Sequence, residues 1–238
     1  MYIEGRNPVL EAVQSDKKIS NIFLQHNIAL VPKIKLIMSF ARSKGIRVKK
    51  VSKKQLDRLS KTKNHQGIIA IMEHRTLGLQ EVLNELDREQ KTPFFVIINE
   101  VLYQYNLGAI IRNAECAGCT GIIISPNTKI TAEAARASMG AIVYIPLISE
   151  NIFNAIKILK GYAVKIVGLE TSGEKTIYEE NLKGSLAIVI GGEDVGISKS
   201  MLPKLDIVLK IPLFGKINSL NMSNALAITL FEKKRQEL

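Results

Sequence analysis

Three apolar, β-branched runs (Phe94 to Ile98, Leu186 to Ile190 and Ile207 to Ile211) each lead into a short block of unusual residues. The first precedes Asn106-Leu107-Gly108-Ala109-Ile110-Ile111-Arg112. The second runs directly into Gly191-Gly192-Glu193-Asp194-Val195-Gly196. The third closes on Ile211-Pro212, ahead of Ser219-Leu220-Asn221-Met222-Ser223. In an open α/β sheet, loops at the carboxyl ends of strands are where ligands bind. Glycines in two of these loops let the backbone approach a ligand closely, and Asn, Ser, Arg or Glu in all three can fix it in place. Together the blocks have the layout of an enzyme site.

After Pro93 the chain alternates strands, near residues 94–99, 121–125, 142–146, 164–169, 186–191 and 207–212, with helical patterns at 106–118, 131–139, 151–160, 198–203 and 219–236. Such alternation predicts an α/β fold with a mainly parallel sheet and helices on both faces. Residues 1–75 read as a small mixed α/β domain. Asn7-Pro8 opens a helix to about Gln14, with Pro8 suited to the first turn. Asn21 to Leu24 and Ile46 to Val51 read as strands. Pro32 to Lys44 reads as a helix with Ile34, Ile37, Met38 and Ala41 on one face. Ser52 caps a helix over Lys53 to Ser60, and Gly67 to Met72 is a strand. Residues 76–92 read as a polar linker with one amphipathic helix through Leu79, Val82, Leu83 and Leu86. Residues 93–238 form the second domain.

Charge separates the two parts. Residues 1–91 carry 18 Lys and Arg against 9 Asp and Glu, whereas residues 92–238 carry 15 against 13. Ten basic residues lie between Arg42 and Lys63, with Asp57 the one acid. A basic part joined to a near-neutral one fits a polyanion grip attached to a catalytic unit, with a solvated lysine-rich face as the bland alternative. No apolar run approaches the roughly 18 residues that span a bilayer. Met1 to Leu10 lacks the layout of a signal peptide, so a cytoplasmic protein without a membrane partner is expected. Cys116 and Cys119 form a lone C-x-x-C at the far end of the helical pattern begun at Asn106, whereas a redox pair favours a helix amino terminus. His26, His65 and His74 are distant in sequence, while zinc sites want four clustered ligands. The cysteines therefore read as small buried residues beside Gly118, and no metal is expected.

The three blocks resemble the motifs of the SpoU (TrmH-like) branch of the SPOUT RNA methyltransferases: N-x-G-x-x-x-R, a G-x-E-x-x-G loop, and I-P followed by S-L-N-x-S. The resemblance spans residues 92 to 236. Gly5-Arg6-Asn7-Pro8-Val9-Leu10-Glu11-Ala12 and His65-Gln66-Gly67-Ile68-Ile69-Ala70 resemble the amino-terminal domain of the RlmB-like subgroup. That domain is similar to ribosomal L30e, an RNA binder. The resemblance implies a trefoil knot in the last strands and helix, one of the exceptions to unknotted topology. It also implies S-adenosylmethionine held in that knot. It implies a homodimer paired through the last helix, where Leu220, Ala225, Ile228, Leu230 and Phe231 offer apolar surface, with Arg112 of one subunit near the donor held by the other.

Methylating a ribose 2′-hydroxyl is an in-line displacement at an activated methyl. The protein must align the reactants and ease loss of the hydroxyl proton. The resemblance assigns Gly191, Ile211 and Leu220 to the donor, largely through backbone groups, and Arg112, Asn106, Glu193, Ser219 and Asn221 to the catalytic set. Arg112 lies six residues after Asn106 with helical spacing between, and arginine suits forked contact with phosphate. Because arginine stays charged, binding the adjacent phosphate and stabilising the developing alkoxide suit it better than a general-base role. Asn106 reads as an N-cap that also positions Arg112. Glu193 would hold the loop or the RNA, with a plain salt bridge as the alternative. Ser219 and Asn221 open the last helix, where capping needs only one of them. The chain departs from its relatives at Tyr103-Gln104, where they have Asp-Pro, and at Asn224, where they carry a small apolar residue.

The expected function is S-adenosylmethionine-dependent 2′-O-methylation of ribosomal RNA, at a guanosine of 23S rRNA. A tRNA substrate and a non-catalytic rRNA-binding assembly protein are the alternatives. The amino-terminal match disfavours the first, and the presence of Asn106, Arg112, Glu193, Ser219 and Asn221 disfavours the second. A nicotinamide-dependent dehydrogenase fails for want of G-x-G-x-x-G after the first strand.

Overall fold

The computed structural model describes residues 1–192 and 196–238. The chain divides into two compact units. One comprises Met1–Arg75, Leu107–Arg112 and Ile130–Tyr144, the other Thr76–Asn106, Asn113–Lys129 and Ile145–Leu238.

The first unit is built on a four-stranded mixed sheet in the order β1-β4-β2-β3. Its strands are β1 (Tyr2–Glu4), β2 (Ile19–Gln25), β3 (Val48–Val51) and β4 (Ile68–Met72), alternating with α1 (Arg6–Gln14), α2 (Pro32–Ser43) and α3 (Lys53–Leu59). The three-residue β1 is too short to show a pattern in sequence, yet it pairs antiparallel with β4. On α2, Ile34, Ile37 and Ala41 are buried as their spacing predicts, while Met38 is half-buried. Ser52 caps α3 in a full capping box: its hydroxyl accepts from the Gln55 N–H at 3.2 Å, and Gln55 Oε1 accepts from the Ser52 N–H at 2.8 Å. Glu4 is buried, and its carboxylate accepts from Ser60 Oγ, Thr62 Oγ1 and the Lys61 N–H, each at 2.6 Å, and from the Thr62 N–H at 3.3 Å. Burial pushes this carboxyl up, but the four hydrogen bonds outweigh burial and hold it below its ordinary value.

The second unit carries a seven-stranded sheet in the order β7-β6-β5-β10-β8-β11-β9, and every pairing among the described residues is parallel. The strands are β5 (Phe94–Ile98), β6 (Gly121–Ile124), β7 (Leu147–Ser149), β8 (Lys165–Leu169), β9 (Lys175–Thr176), β10 (Leu186–Ile190) and β11 (Ile207–Lys210). Both β5 and β10 are buried along their whole length, which is why they read as unbroken apolar runs.

Two expectations need correction here. Residues 142–146 are not a strand: Gly140, at φ 107°, leads into a 3-10 turn at Ala141–Val143. The strand begins only after Pro146, which has no N–H to give a ladder. Residues 198–203 form no α-helix; the segment holds only a 3-10 turn at Leu202–Lys204, with Pro203 in its first positions.

The helix α4 (Leu79–Arg88), expected within the linker, buries Leu79, Val82, Leu83 and Leu86 in this unit's core. They pack in one cluster with Phe95 and Ile97 of β5, Val189 of β10, and Ile152, Ile156 and Leu159 of α7 (Ile152–Gly161). Burial of such side chains contributes about 1.5–3 kcal/mol each, so α4 is part of the core. The last helix, α8 (Met222–Glu237), ends with buried Lys233 donating to the Glu237 carboxylate and lying 4.6 Å from the centroid of the Phe94 ring. In strand order, β5 lies beside β10, so the chain runs outward through β6 and β7 on one side and fills β8, β11 and β9 on the other. A crevice beyond the carboxyl ends at such a switch point is the general ligand site of parallel α/β sheets.

Candidate active site

A cavity of about 650 Å³ opens at the carboxyl ends of β8, β10 and β11. Leu169, Glu170 and Thr171 line it at the end of β8, Ile190 to Gly192 and Gly196 after β10, and Ile211 and Leu213 after β11. Ser219 to Met222 and Ala225 come from the start of α8, and Tyr103 and Asn106 from the start of α5 (Gln104–Cys116).

The glycine wall is imposed by close packing. A Cβ on Gly191 would lie 2.0 Å from the carbonyl carbon of Gly196 and 2.3 Å from the nitrogen of Ile197. Both are backbone atoms, so no larger residue fits without moving the loop. Gly192 and Gly196 exchange two backbone hydrogen bonds, each 3.0 Å. Glu170 braces the same loop by accepting from the Ile197 N–H. It is also the one charged residue lining the cavity among the described residues. Sequence reading passed over Glu170; the available signal was an acid placed directly after a buried strand.

A second wall is held by asparagines. Asn221 is the N-cap of α8, its Oδ1 accepting from the Ser223 N–H at 2.9 Å and from Ser223 Oγ at 2.6 Å. Its Nδ2 donates to Asn106 Oδ1 at 3.1 Å, across 115 residues of sequence. Asn113 Nδ2 adds a bond to the Ser223 carbonyl at 2.9 Å, so α5 and α8 are tied at two points. Asn106 is therefore not the N-cap expected: α5 begins at Gln104 with Tyr103 as its cap, which places Asn106 in the first turn. Ser219 also lies ahead of the helix, in the loop that lines the cavity.

Of the eight site residues expected from sequence, Gly191, Ile211, Leu220, Asn106, Ser219 and Asn221 line this one cavity. Glu193 lies outside the described residues. Arg112 lies on α5 with an exposed side chain and is not among the lining residues. Tyr103, one of the departures from the family pattern, lines the cavity, whereas nothing in the structure explains Asn224.

The cysteines split. Cys119 is buried, and burial pushes its thiol well above the ordinary range, as suits an inert core residue. Cys116, the last residue of α5, is exposed, contrary to expectation. Both are free. Among the described residues no group of three or more His, Cys, Asp or Glu is placed to hold a metal, and no helix is long and apolar enough to cross a membrane.

Comparison with known proteins gives two family matches: residues 93–231 match the SpoU rRNA Methylase family, and residues 2–76 match RNA 2′-O ribose methyltransferase substrate binding. A protein of Xanthomonas campestris named 23S rRNA (guanosine-2′-O-)-methyltransferase RlmB is 32% identical over 241 residues, covering 100% of this chain and 97% of that one. A protein of the same name from Photobacterium profundum is 36% identical over 197 residues, covering 81% of this chain and 80% of its own. Among solved structures, the AdoMet-bound rRNA methyltransferase of Sinorhizobium meliloti superposes with a TM-score of 0.82 at 25% identity, covering 100% of this chain and 87% of that one. The SpoU methyltransferase AviRb of Streptomyces viridochromogenes, 19% identical, shares the fold with a TM-score of 0.84, covering 100% and 90%. A glycine-walled cavity at the sheet's switch point, family matches over both parts of the chain and full-length relatives at this identity lead to one conclusion. The chain belongs to the SpoU rRNA methylase family.

Proposed function

We propose that this protein transfers a methyl group from S-adenosylmethionine to a ribose 2′-hydroxyl of ribosomal RNA, at a guanosine of 23S rRNA. The observation that carries the reading is the convergence of Gly191, Ile211 and Leu220 with Asn106, Ser219 and Asn221 on one cavity. Its volume of about 650 Å³ falls in the range of small-molecule sites. Gly191 puts no side chain into the cavity it lines, and the carboxylate of Glu170 complements a cationic ligand. S-adenosylmethionine, the ligand named for the Sinorhizobium meliloti structure, carries a sulfonium that supplies an already activated methyl. The RlmB relatives, by their names, act on guanosine ribose of 23S rRNA.

In this reading Gly191, Ile211 and Leu220 hold the donor, and the Asn106–Asn221 bond fixes the wall against which the ribose is aligned. Ser219 faces the same cavity and can hydrogen-bond the substrate, and Glu193, outside the described residues, would contact the RNA. Arg112 binds the phosphate next to the reacting ribose and stabilises the alkoxide as its proton leaves. Residues 1–75 grip RNA, residues 93–238 carry out transfer, and residues 76–92 connect them. We further propose a homodimer. Leu230 faces its own core, but Phe231 and Ile228 of α8 are exposed, as are Phe214 and Ile217 in the loop before it, and pairing would cover them. A cytoplasmic location follows from a ribosomal RNA substrate.

The test is methyl transfer to unmodified 23S rRNA, with ribose-methylation mapping of total RNA from strains with and without the gene. Arg112→Ala should bind donor normally and lose nearly all transfer, about 100-fold or more if it supplies charge stabilisation. Methylation mapped only to tRNA would replace the substrate, and full transfer by Arg112→Ala would remove that residue's role.

A further inference from the structure

A second cavity, of about 550 Å³, lies wholly within residues 1–75. Arg6, Lys53 and Lys63 line it together with the amide side chains of Gln25, Asn27 and Asn64. Ile28 and Ala29 supply an apolar strip. Asp57 is the one acid lining it, and its carboxylate faces His65 at 2.9 Å.

The floor of this cavity is rigid at a conformational cost. Lys63, Gln66 and Gly67 all have positive φ, at 58°, 51° and 84°. Two of these are not glycine, and backbone of this kind costs of order 1 kcal/mol or more per residue. A Cβ at position 67 would also stand 2.6 Å from Ile28 Cδ1, so the Ile28 side chain packs directly against this glycine. The loop is held from both ends. Buried Glu4 binds Ser60, Lys61 and Thr62 as described above, and Arg6 bonds to Gln66 through its backbone N–H (3.0 Å) and its Nε (3.3 Å). Between them, the Gly67 N–H donates to Nδ1 of buried His65 at 2.9 Å, so the ring proton sits on Nε2 and points at Asp57. The cavity is thus a preorganised site lined by cations, amide groups and an apolar strip.

These are complementary parts for one ligand class. A nucleotide offers a phosphate for cations, base edges for amide donors and acceptors, and a flat apolar face. Resting on the RNA reading above, we propose that this cavity receives one unstacked nucleotide of the substrate RNA, with Lys53 and Lys63 at its phosphate and Asn27 and Asn64 at its base edge. Strained loops persist where the surroundings over-determine them, and a binding clamp is the use that the lining here fits.

The experiment measures binding of full-length protein to a 23S rRNA transcript over a salt series, with ultraviolet cross-linking of 4-thiouridine-substituted transcript. Lys53→Ala/Lys63→Ala should weaken binding and flatten the slope of log affinity against log salt by about 0.7, the single-strand value for the one phosphate that both lysines face. Asn27→Ala/Asn64→Ala should weaken binding about tenfold with the slope unchanged, because neutral groups release no counterions. Lys157→Ala/Lys204→Ala, which removes two charges outside residues 1–75, should bind close to wild type. Cross-links should fall within residues 25–29 and 60–67. Asparagine variants that bind like the Lys157/Lys204 control, or cross-links that avoid both segments, overturn the proposal. Donor binding and methyl transfer are measured in parallel. RNA binding that depends on the cavity, with no transfer by wild type, would defeat the enzyme reading alone; normal transfer with neutral cavity variants would defeat this one alone.

Discussion

Replacing Gly191 with alanine adds one methyl group and should weaken donor binding more than its size suggests. The new Cβ would stand 2.0 Å from the Gly196 carbonyl carbon, where ordinary contact begins at 3.4 Å, so the loop must retreat by at least about 1.4 Å. The obstruction is backbone, and no side-chain rotation can relieve it. Overpacking of this kind costs about 1–3 kcal/mol. The retreat also strains the paired Gly192–Gly196 hydrogen bonds, worth about 0.5–1.5 kcal/mol each. The total of about 2–6 kcal/mol divides between folding and ligand affinity, and a share of about 2 kcal/mol on affinity is roughly thirtyfold in Kd. Calorimetric titration with S-adenosylmethionine, without RNA or metal, reads the affinity, and thermal unfolding reads the remainder. Gly161→Ala is the control: nothing lies within 4 Å of its Cβ position, so it should leave binding unchanged. Wild-type affinity in Gly191→Ala would refute the cavity as the donor site.

Asn221→Ala should cost about 1.5–3 kcal/mol in urea unfolding, combining a lost N-cap with the lost bond to Asn106. Asn221→Asp keeps the cap acceptor but not the Nδ2 donor and should recover part of that loss; equal losses in the two variants would contradict the assigned bonds. Glu4 has a folded pKa below its ordinary 4.5, so its stabilisation is complete above that pH and is lost as pH falls through the lowered folded value. Glu4→Gln should therefore be less stable at neutral pH and show a flatter acid limb when unfolding free energy is followed from neutral to acidic pH; identical acid limbs would show that the Glu4 network carries no such linkage.

Much of the architecture was legible in sequence because burial leaves a periodic trace. The unbroken runs Phe94–Ile98 and Leu186–Ile190 are strands buried throughout, and Leu79, Val82, Leu83 and Leu86 mark the inner face of a helix. Short or edge elements left no such trace. The strands Tyr2–Glu4 and Lys175–Thr176 are three and two residues long and gain their identity only from partners distant in the chain. Residues 142–146 are apolar and β-branched enough to suggest a strand, and the backbone at Gly140 and Pro146 overrules that preference.

The site divides in the same way. Sequence alone marked which loops would line the cavity, because glycine, asparagine and serine concentrated after buried strands are costly to keep without a ligand or a turn to serve. It also determined the basic character of residues 1–91, since charge is additive and needs no fold to count. Only the tertiary structure decided that Asn106 bonds Asn221 instead of capping its own helix, that Glu170 braces the Gly196–Ile197 turn, and that Lys63 to Gly67 form the strained floor of a second cavity. Those facts depend on distances between residues far apart in the chain. A hydrogen bond or a close contact acts over a few ångströms of space, and sequence separation sets no such distance until the sheet has brought its loops together.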